Sequence, residues 1–184
     1  SGPGSHDANI VEPYLKNIIA FLRRNKNMTL VDLGCGDFNI GSKLVKYSKK
    51  YIAIDVVEDL INRNKKIYKS KKLTFQKIDA VYQDIPHGEC IFIKEVFQHI
   101  SNKEIKIILK KLVKFKFLIM TESEPLFKFK PNKDKLRGPH CRTDLKSGII
   151  IDRYPFNYRF IMKKELLRIK RDDRYIVTTL YQNN

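Results

Sequence analysis

The sequence holds only three cysteines, Cys35, Cys90 and Cys141. An odd number without any CxxC spacing supports neither a disulfide framework nor a zinc site, and a reducing cytoplasm is the simplest setting. No apolar stretch approaches the ~18–20 residues needed to cross a bilayer, so the chain reads as soluble. Internal repeats and low-complexity segments are also lacking. Acidic residues are the minority: 20 Asp and Glu stand against 37 Lys and Arg, for a formal charge of +17. That excess suits an anionic partner, but the basic residues run along the whole chain and come with abundant Ile and Asn, as compositional bias alone would write them. Both readings stay open at this stage.

The 184 residues fit one α/β domain with a sizeable core. The leading SGPGS, Ser1 to Ser5, reads as a cloning remnant, so the fold is counted from about Asn9 onward to residue 184. Ile10, Val11, Tyr14, Leu15, Ile18, Ile19 and Leu22 recur at helical spacing, with Pro13 in the first turn. Strands are then expected at MTLVDL, YIAIDV, KLTFQKI, ECIFIKEV and FKFLIMTE, alternating with helices at about Asn39–Ser48, at DLINRNKKIYK and after a capping box at Ser101 and Glu104. Such alternation implies a mostly parallel, doubly wound open sheet. From about Glu122 to Ser147 the pattern breaks into a polar, proline-bearing stretch, read as a lid or a disordered segment. The segment ELLRIKRDDRYIVTTLYQ reads as an antiparallel hairpin turning at Asp172 and Asp173, which ends the sheet.

The chemistry concentrates in VDLGCGDFNIG, Val31 to Gly41. In open α/β sheets ligands bind beyond the carboxyl ends of the strands, and glycine lets backbone take positive φ and a ligand come close. A dinucleotide site would want GxGxxG and a helix N-terminus free for pyrophosphate. Here the third position is Asn39, and Asp37 and Asp32 would repel an anion. Two acids around a glycine turn suit a cationic ligand.

This stretch resembles the first motif of the class I methyltransferases that use S-adenosylmethionine, an acid-x-Gly-x-Gly-x-Gly turn after the first strand. The family's third glycine is Phe38 here. The resemblance implies a Rossmann-like fold and S-adenosylmethionine as cofactor, with S-adenosylhomocysteine as its product. It implies cofactor contacts at Asp32, Gly34, Cys35 and Gly36. Asp55, 23 residues after Asp32, falls with Val56 where the family holds the ribose hydroxyls, and Asp79 with Ala80 falls where it contacts the adenine amino group. Asp84 is a nearby rival to Asp79, and Cys35 reads equally as a small filler of the turn. The segment ECIFIKEVFQHIS is similar to the fourth-strand motif, whose continuation borders the methyl group.

In that continuation His99 is the candidate general base, because a neutral imidazole is competent near neutrality, and Glu95 is the second candidate. His99 could instead pack against the following helix, and Glu95 could be a surface acid. Val96 and Ile100, four apart, suit a core-facing helical stripe that leaves Glu95, Gln98 and His99 outward. Gln98, Glu122, Arg137 and Arg142 are candidate acceptor contacts, the two arginines as a bidentate clamp or else as solvated loop charges. His140 and Cys141 are adjacent but have no further ligands at zinc spacing, so no metal is expected. The expected activity is methyl transfer to a small molecule, anionic ones included. The alternatives are an RNA or DNA methyltransferase and a non-catalytic member of the fold that binds the cofactor or a partner.

Overall fold

The computed structural model describes residues 3–183. They form two compact units, one ending at Phe92 and one starting at Ile93. The first unit opens with helix α1 (Ala8–Arg24), whose start is fixed by Asp7, its side chain accepting from the Asn9 N–H. This cap places Pro13 in the second turn and not the first. One face of α1 buries Ile10, Val11, Tyr14, Ile18 and Leu22. Strand β1 (Thr29–Leu33), helix α2 (Asn39–Leu44), strand β2 (Lys50–Asp55), helix α3 (Glu58–Ile67) and strand β3 (Leu73–Lys77) follow. β2 pairs in parallel with β1 on one side, Leu33 opposite Ile54, and with β3 on the other, Asp55 opposite Lys77. Leu30, Val31, Ile52, Ala53 and Ile54 are buried, the continuous apolar pattern of parallel strands covered on both faces. Strand β4 (Cys90–Lys94) closes this unit and carries the chain into the second.

In the second unit helix α4 (Asn102–Leu112) begins at the expected capping box. The Ser101 side chain accepts from the Glu104 N–H, and the Glu104 carboxylate accepts from the Ser101 N–H. Strand β5 (Phe117–Pro125) pairs antiparallel with β7 (Arg174–Gln182), which pairs antiparallel with β6 (Met162–Arg171). The strand order is β3-β2-β1-β4-β5-β7-β6, the parallel sheet with an antiparallel end that the alternating pattern implies. β5 runs past Glu122, because the register Glu122↔Val177 to Pro125↔Arg174 continues the ladder and Thr121 and Thr178 join hydroxyls at 2.9 Å. The irregular stretch therefore begins after Pro125. It is pinned from within: the Asn132 side chain donates to the Ile150 and Tyr154 carbonyls and accepts from the Ile150 N–H, while the Ser147 hydroxyl donates to the Lys130 carbonyl.

Phe38, where the resemblance puts a glycine, takes the left-handed backbone conformation that position demands, with φ 65°. A non-glycine residue there costs roughly 1–2 kcal/mol. The ring offsets this by complete burial and by edge contacts with Tyr51, Tyr68 and Phe75, at centroid distances of 5.5, 5.2 and 4.8 Å. Gly41 makes the room, since a Cβ there would stand 2.3 Å from the Phe38 ring and 3.0 Å from an Asp32 carboxylate oxygen. Gly41→Ala should therefore destabilise the chain by about 1–3 kcal/mol through overpacking. Shrinking the ring as well, with Phe38→Leu in the same chain, should recover part of that loss. Urea unfolding midpoints of the single and double variants check this.

Candidate active site

The glycine turn of the first unit is held by a set of hydrogen bonds to its backbone. Gly34 and Gly36 have φ of 79° and 54°. The Gly34 and Cys35 N–H groups both donate to the Ile54 carbonyl at the end of β2, at 2.9 and 3.1 Å. The Gly36 N–H donates to Asp55 Oδ2 at 2.9 Å, and the Gly36 carbonyl accepts from Asn64 Nδ2 of α3 at 2.7 Å. Asp55 Oδ1 accepts from the Val57 N–H at 2.9 Å, so one carboxylate ties the turn to the next helix entry. Asp32 Oδ2 accepts from the hydroxyl of buried Tyr51 at 2.9 Å. Asp37 Oδ1 accepts from the Asn39 N–H, and its other oxygen lies 2.6 Å from His6 Nε2.

Asp79 is carried beside Asp55 by the Ile78 N–H, which donates to the Asp55 carbonyl at 3.0 Å. Its own carboxylate accepts from the Val81 N–H, its backbone N–H donates to the Gln83 side chain, and Ala80 beside it is buried. Val56 is half exposed. The first unit thus gathers Asp32, Gly34, Cys35, Gly36, Asp55 and Asp79 around the carboxyl ends of β1, β2 and β3. Burial, with the Asp32 and Asp55 carboxylates, pushes the Cys35 thiol far above its ordinary range, so it stays neutral. No lysine or arginine stands between Val31 and Ser42.

Two residues that hold this turn are not singled out by motif reading. Asn64 is fully buried on α3, on the same stripe as Ile61, and its signal is an amide where the helical pattern calls for an apolar side chain. Tyr51 starts an apolar strand, and nothing local marks its hydroxyl as the partner of Asp32. The leading residues also reach the turn, since the Ser5 carbonyl accepts from Asn39 Nδ2.

In the second unit the chain leaves β4 through Glu95, whose φ is 56° and whose N–H donates to the Thr121 carbonyl at 2.7 Å. Its carboxylate pairs with Lys94 at 2.8 Å. Phe97–His99 is a 3-10 turn, so the stripe expected for an α-helix shifts: Phe97, Gln98 and Ile100 are buried and Val96 is half buried. The Glu122 carboxylate fixes this turn by accepting from the Phe97 N–H at 2.8 Å and the Gln98 N–H at 3.1 Å. Gln98 Oε1 and His99 Nδ1 are buried without a hydrogen-bond partner among the described residues. The two loop arginines have separate engagements. Arg137 pairs with Glu104 at 3.3 Å, whereas Arg142 is buried and donates to the Lys133 carbonyl and, at 2.6 Å, to the Ile100 carbonyl.

Burial raises the Glu122 carboxyl from its ordinary 4.5 to about 8, with the backbone N–H groups pulling the other way. Between those values the folded chain holds a proton that the unfolded chain has lost, so stability falls as pH rises through that window. The slope should approach ~1.4 kcal/mol per pH unit, and Glu122→Gln should flatten it. Urea titrations at intervals from about pH 5 to pH 8 measure both.

No family model and no curated relative matches the sequence. Among solved structures, the chain is similar to the N-methyltransferase NodS from Bradyrhizobium japonicum WM9 in complex with S-adenosylhomocysteine, at 12% identity and a TM-score of 0.71, over 97% of this chain and 90% of that one. It is similar to the methyltransferase domain of bacterial CtHen1 at 16% identity and a TM-score of 0.66, over 93% and 98%. Magnesium protoporphyrin IX methyltransferase from Synechocystis PCC 6803, with S-adenosylmethionine bound, aligns at 13% identity and a TM-score of 0.61, over 100% and 85%. Identities this low speak to architecture, and the chain has the Rossmann-like fold of the class I S-adenosylmethionine-dependent methyltransferases.

Proposed function

We propose that this chain is an S-adenosylmethionine-dependent methyltransferase. The observation that carries the reading is the glycine turn ringed by the carboxylates of Asp32, Asp37, Asp55 and Asp79, with no lysine or arginine between Val31 and Ser42. This donor set fits a ligand bearing an ammonium, a sulfonium and ribose hydroxyls, and it disfavours the pyrophosphate that a bare Rossmann turn would take. The solved relatives named above, two of them with the cofactor or its product bound, support it.

The cofactor, when bound, supplies a methyl group on a good leaving group, transferred in line to the acceptor. Asp55 accepts from the ribose hydroxyls with the lone pairs its two backbone N–H donors leave over. Asp32, oriented by the Tyr51 hydroxyl, faces the cationic end. Asp79 accepts from the adenine amino group. The chain's main contribution to rate is then alignment and exclusion of water. His99 takes a proton from the acceptor where that atom arrives protonated, and the Glu122 carboxyl group positions its turn. Glu95, already paired with Lys94, is the weaker base.

The acceptor assigned here is a small molecule, supported by Gln98 Oε1 and His99 Nδ1, two buried polar atoms beside one another that have no hydrogen-bond partner among the described residues. A nucleic-acid acceptor is the second reading, and the specific observation in its favour is a lysine-lined groove on α4.

Asp55→Ala should weaken binding of S-adenosylhomocysteine by about ten- to a hundredfold, since the lost hydrogen bonds are charge-assisted at ~1.5–3 kcal/mol. Titration calorimetry returning parental affinity for that variant would sink the assignment. The acceptor is sought by incubating the protein with labelled S-adenosylmethionine and fractionated extract of its source cell. With it in hand, His99→Gln should hold cofactor affinity within about twofold while turnover drops roughly 10²–10⁴-fold. Turnover within about threefold of the parent would return His99 to a packing role.

A further inference from the structure

The second unit carries a groove of about 1170 Å³ along α4, walled on its other side by the irregular chain between β5 and β6. Six of its fifteen lining residues are basic: Lys103, Lys106, Lys110, Lys130, Lys133 and Arg153. All six are exposed, and none forms an ion pair among the described residues. The two acids in the lining are already engaged. Asp134 accepts from the Asn102 N–H at the start of α4, and Asp152 is held by Lys163 at 2.9 and 3.1 Å. Lys103, Lys106 and Lys110 recur at i, i+3 and i+7, which puts them on one face of α4 over roughly 10 Å of its axis. The opposite face buries Ile105, Ile108, Leu109 and Leu112. Unpaired like charges facing one another across a groove repel unless an anion lies between them.

The arrangement selects the kind of anion. The cations form two rows and do not converge on one point, so they follow a chain of phosphates better than they enclose one. Tyr154 lines the same groove, 82% exposed, beside Arg153 and with no aromatic contact among the described residues. A positive groove with a free aromatic ring serves an unpaired base, which can stack, whereas the bases of a duplex are already stacked on each other. We infer that this groove binds single-stranded nucleic acid, the lysines tracking its phosphates and Tyr154 stacking on a base. The binding stands apart from methyl transfer. Its link to catalysis rests on the second reading above, so the test is run without cofactor.

The test is fluorescence anisotropy of a labelled mixed-sequence RNA oligonucleotide with the full chain across a salt series. The parent should bind, with log affinity falling linearly in log salt by ~0.7 for each phosphate contact. Lys106→Glu with Lys110→Glu should weaken binding about tenfold or more and lower the slope by about two such contacts. Tyr154→Ala should weaken it roughly five- to a hundredfold with the slope unchanged, a split that a purely electrostatic surface would not give. All these side chains are exposed, and an unchanged thermal midpoint shows that each variant folds. Lys49→Glu with Lys71→Glu, the same charge change outside the groove, should cost much less. Four results overturn the inference: no binding by the parent, equal losses from the two double variants, indifference to Tyr154→Ala, or capture of phosphatidylserine vesicles or duplex RNA in preference to the single strand.

Discussion

The Asp55 carboxylate, shared between the Gly36 and Val57 N–H groups, is the contact on which the candidate cofactor site depends. A turn with two left-handed glycines, Gly34 and Gly36, would be loose in isolation, because glycine has the most conformational freedom to lose. Here that freedom is removed by four bonds, two onto the Ile54 carbonyl, one onto Asp55 and one from Asn64. The parallel register of β1 with β2 brings those acceptors into place, Leu33 lying opposite Ile54 just before the turn begins. Sheet pairing, turn shape and the position of the acids are therefore one structural statement.

Behind the turn, the exchange of a family glycine for Phe38 turns a backbone solution into a packing solution. The left-handed conformation is kept and its cost is met by an aromatic cluster. The cluster fits because Gly41 omits the Cβ that would collide with the ring. Asp32 lies against the same space, near enough that a Cβ at Gly41 would touch its carboxylate. Packing of the turn and orientation of an acid that would face the cofactor are thus coupled through two neighbouring positions.

Much of this was readable in the sequence, for physical reasons that differ from element to element. The parallel strands show as short β-branched runs, the α4 start as a capping box, and the terminal hairpin as alternation around Asp172 and Asp173. The glycine turn and the spacing to Asp55 stand out because each is local. What escaped were long-range compensations. Tyr51, Tyr68 and Phe75 share no local pattern, so the pocket that accepts Phe38 is invisible until the strands assemble. Glu122 reads as an acceptor contact, and Arg142 as an acceptor clamp or a solvated loop charge, because nothing local in the sequence marks either side chain as buried. Their burial is tolerated only through backbone partners at Lys133, Ile100, Phe97 and Gln98, which lie 9 to 42 residues away. The shift of Gln98 inward follows from a 3-10 turn in place of an α-helix, a choice fixed by Glu122 on another strand.

On the proposed function, the acidic glycine turn selects a cationic adenosyl ligand over a nucleotide carrying phosphates. Titration calorimetry of the full chain tests it most directly, with S-adenosylmethionine and nicotinamide adenine dinucleotide as separate ligands under one buffer. One saturable site for S-adenosylmethionine, with no heat of binding from the dinucleotide at the same concentrations, is the predicted result. Binding of the dinucleotide with equal or higher affinity would contradict it.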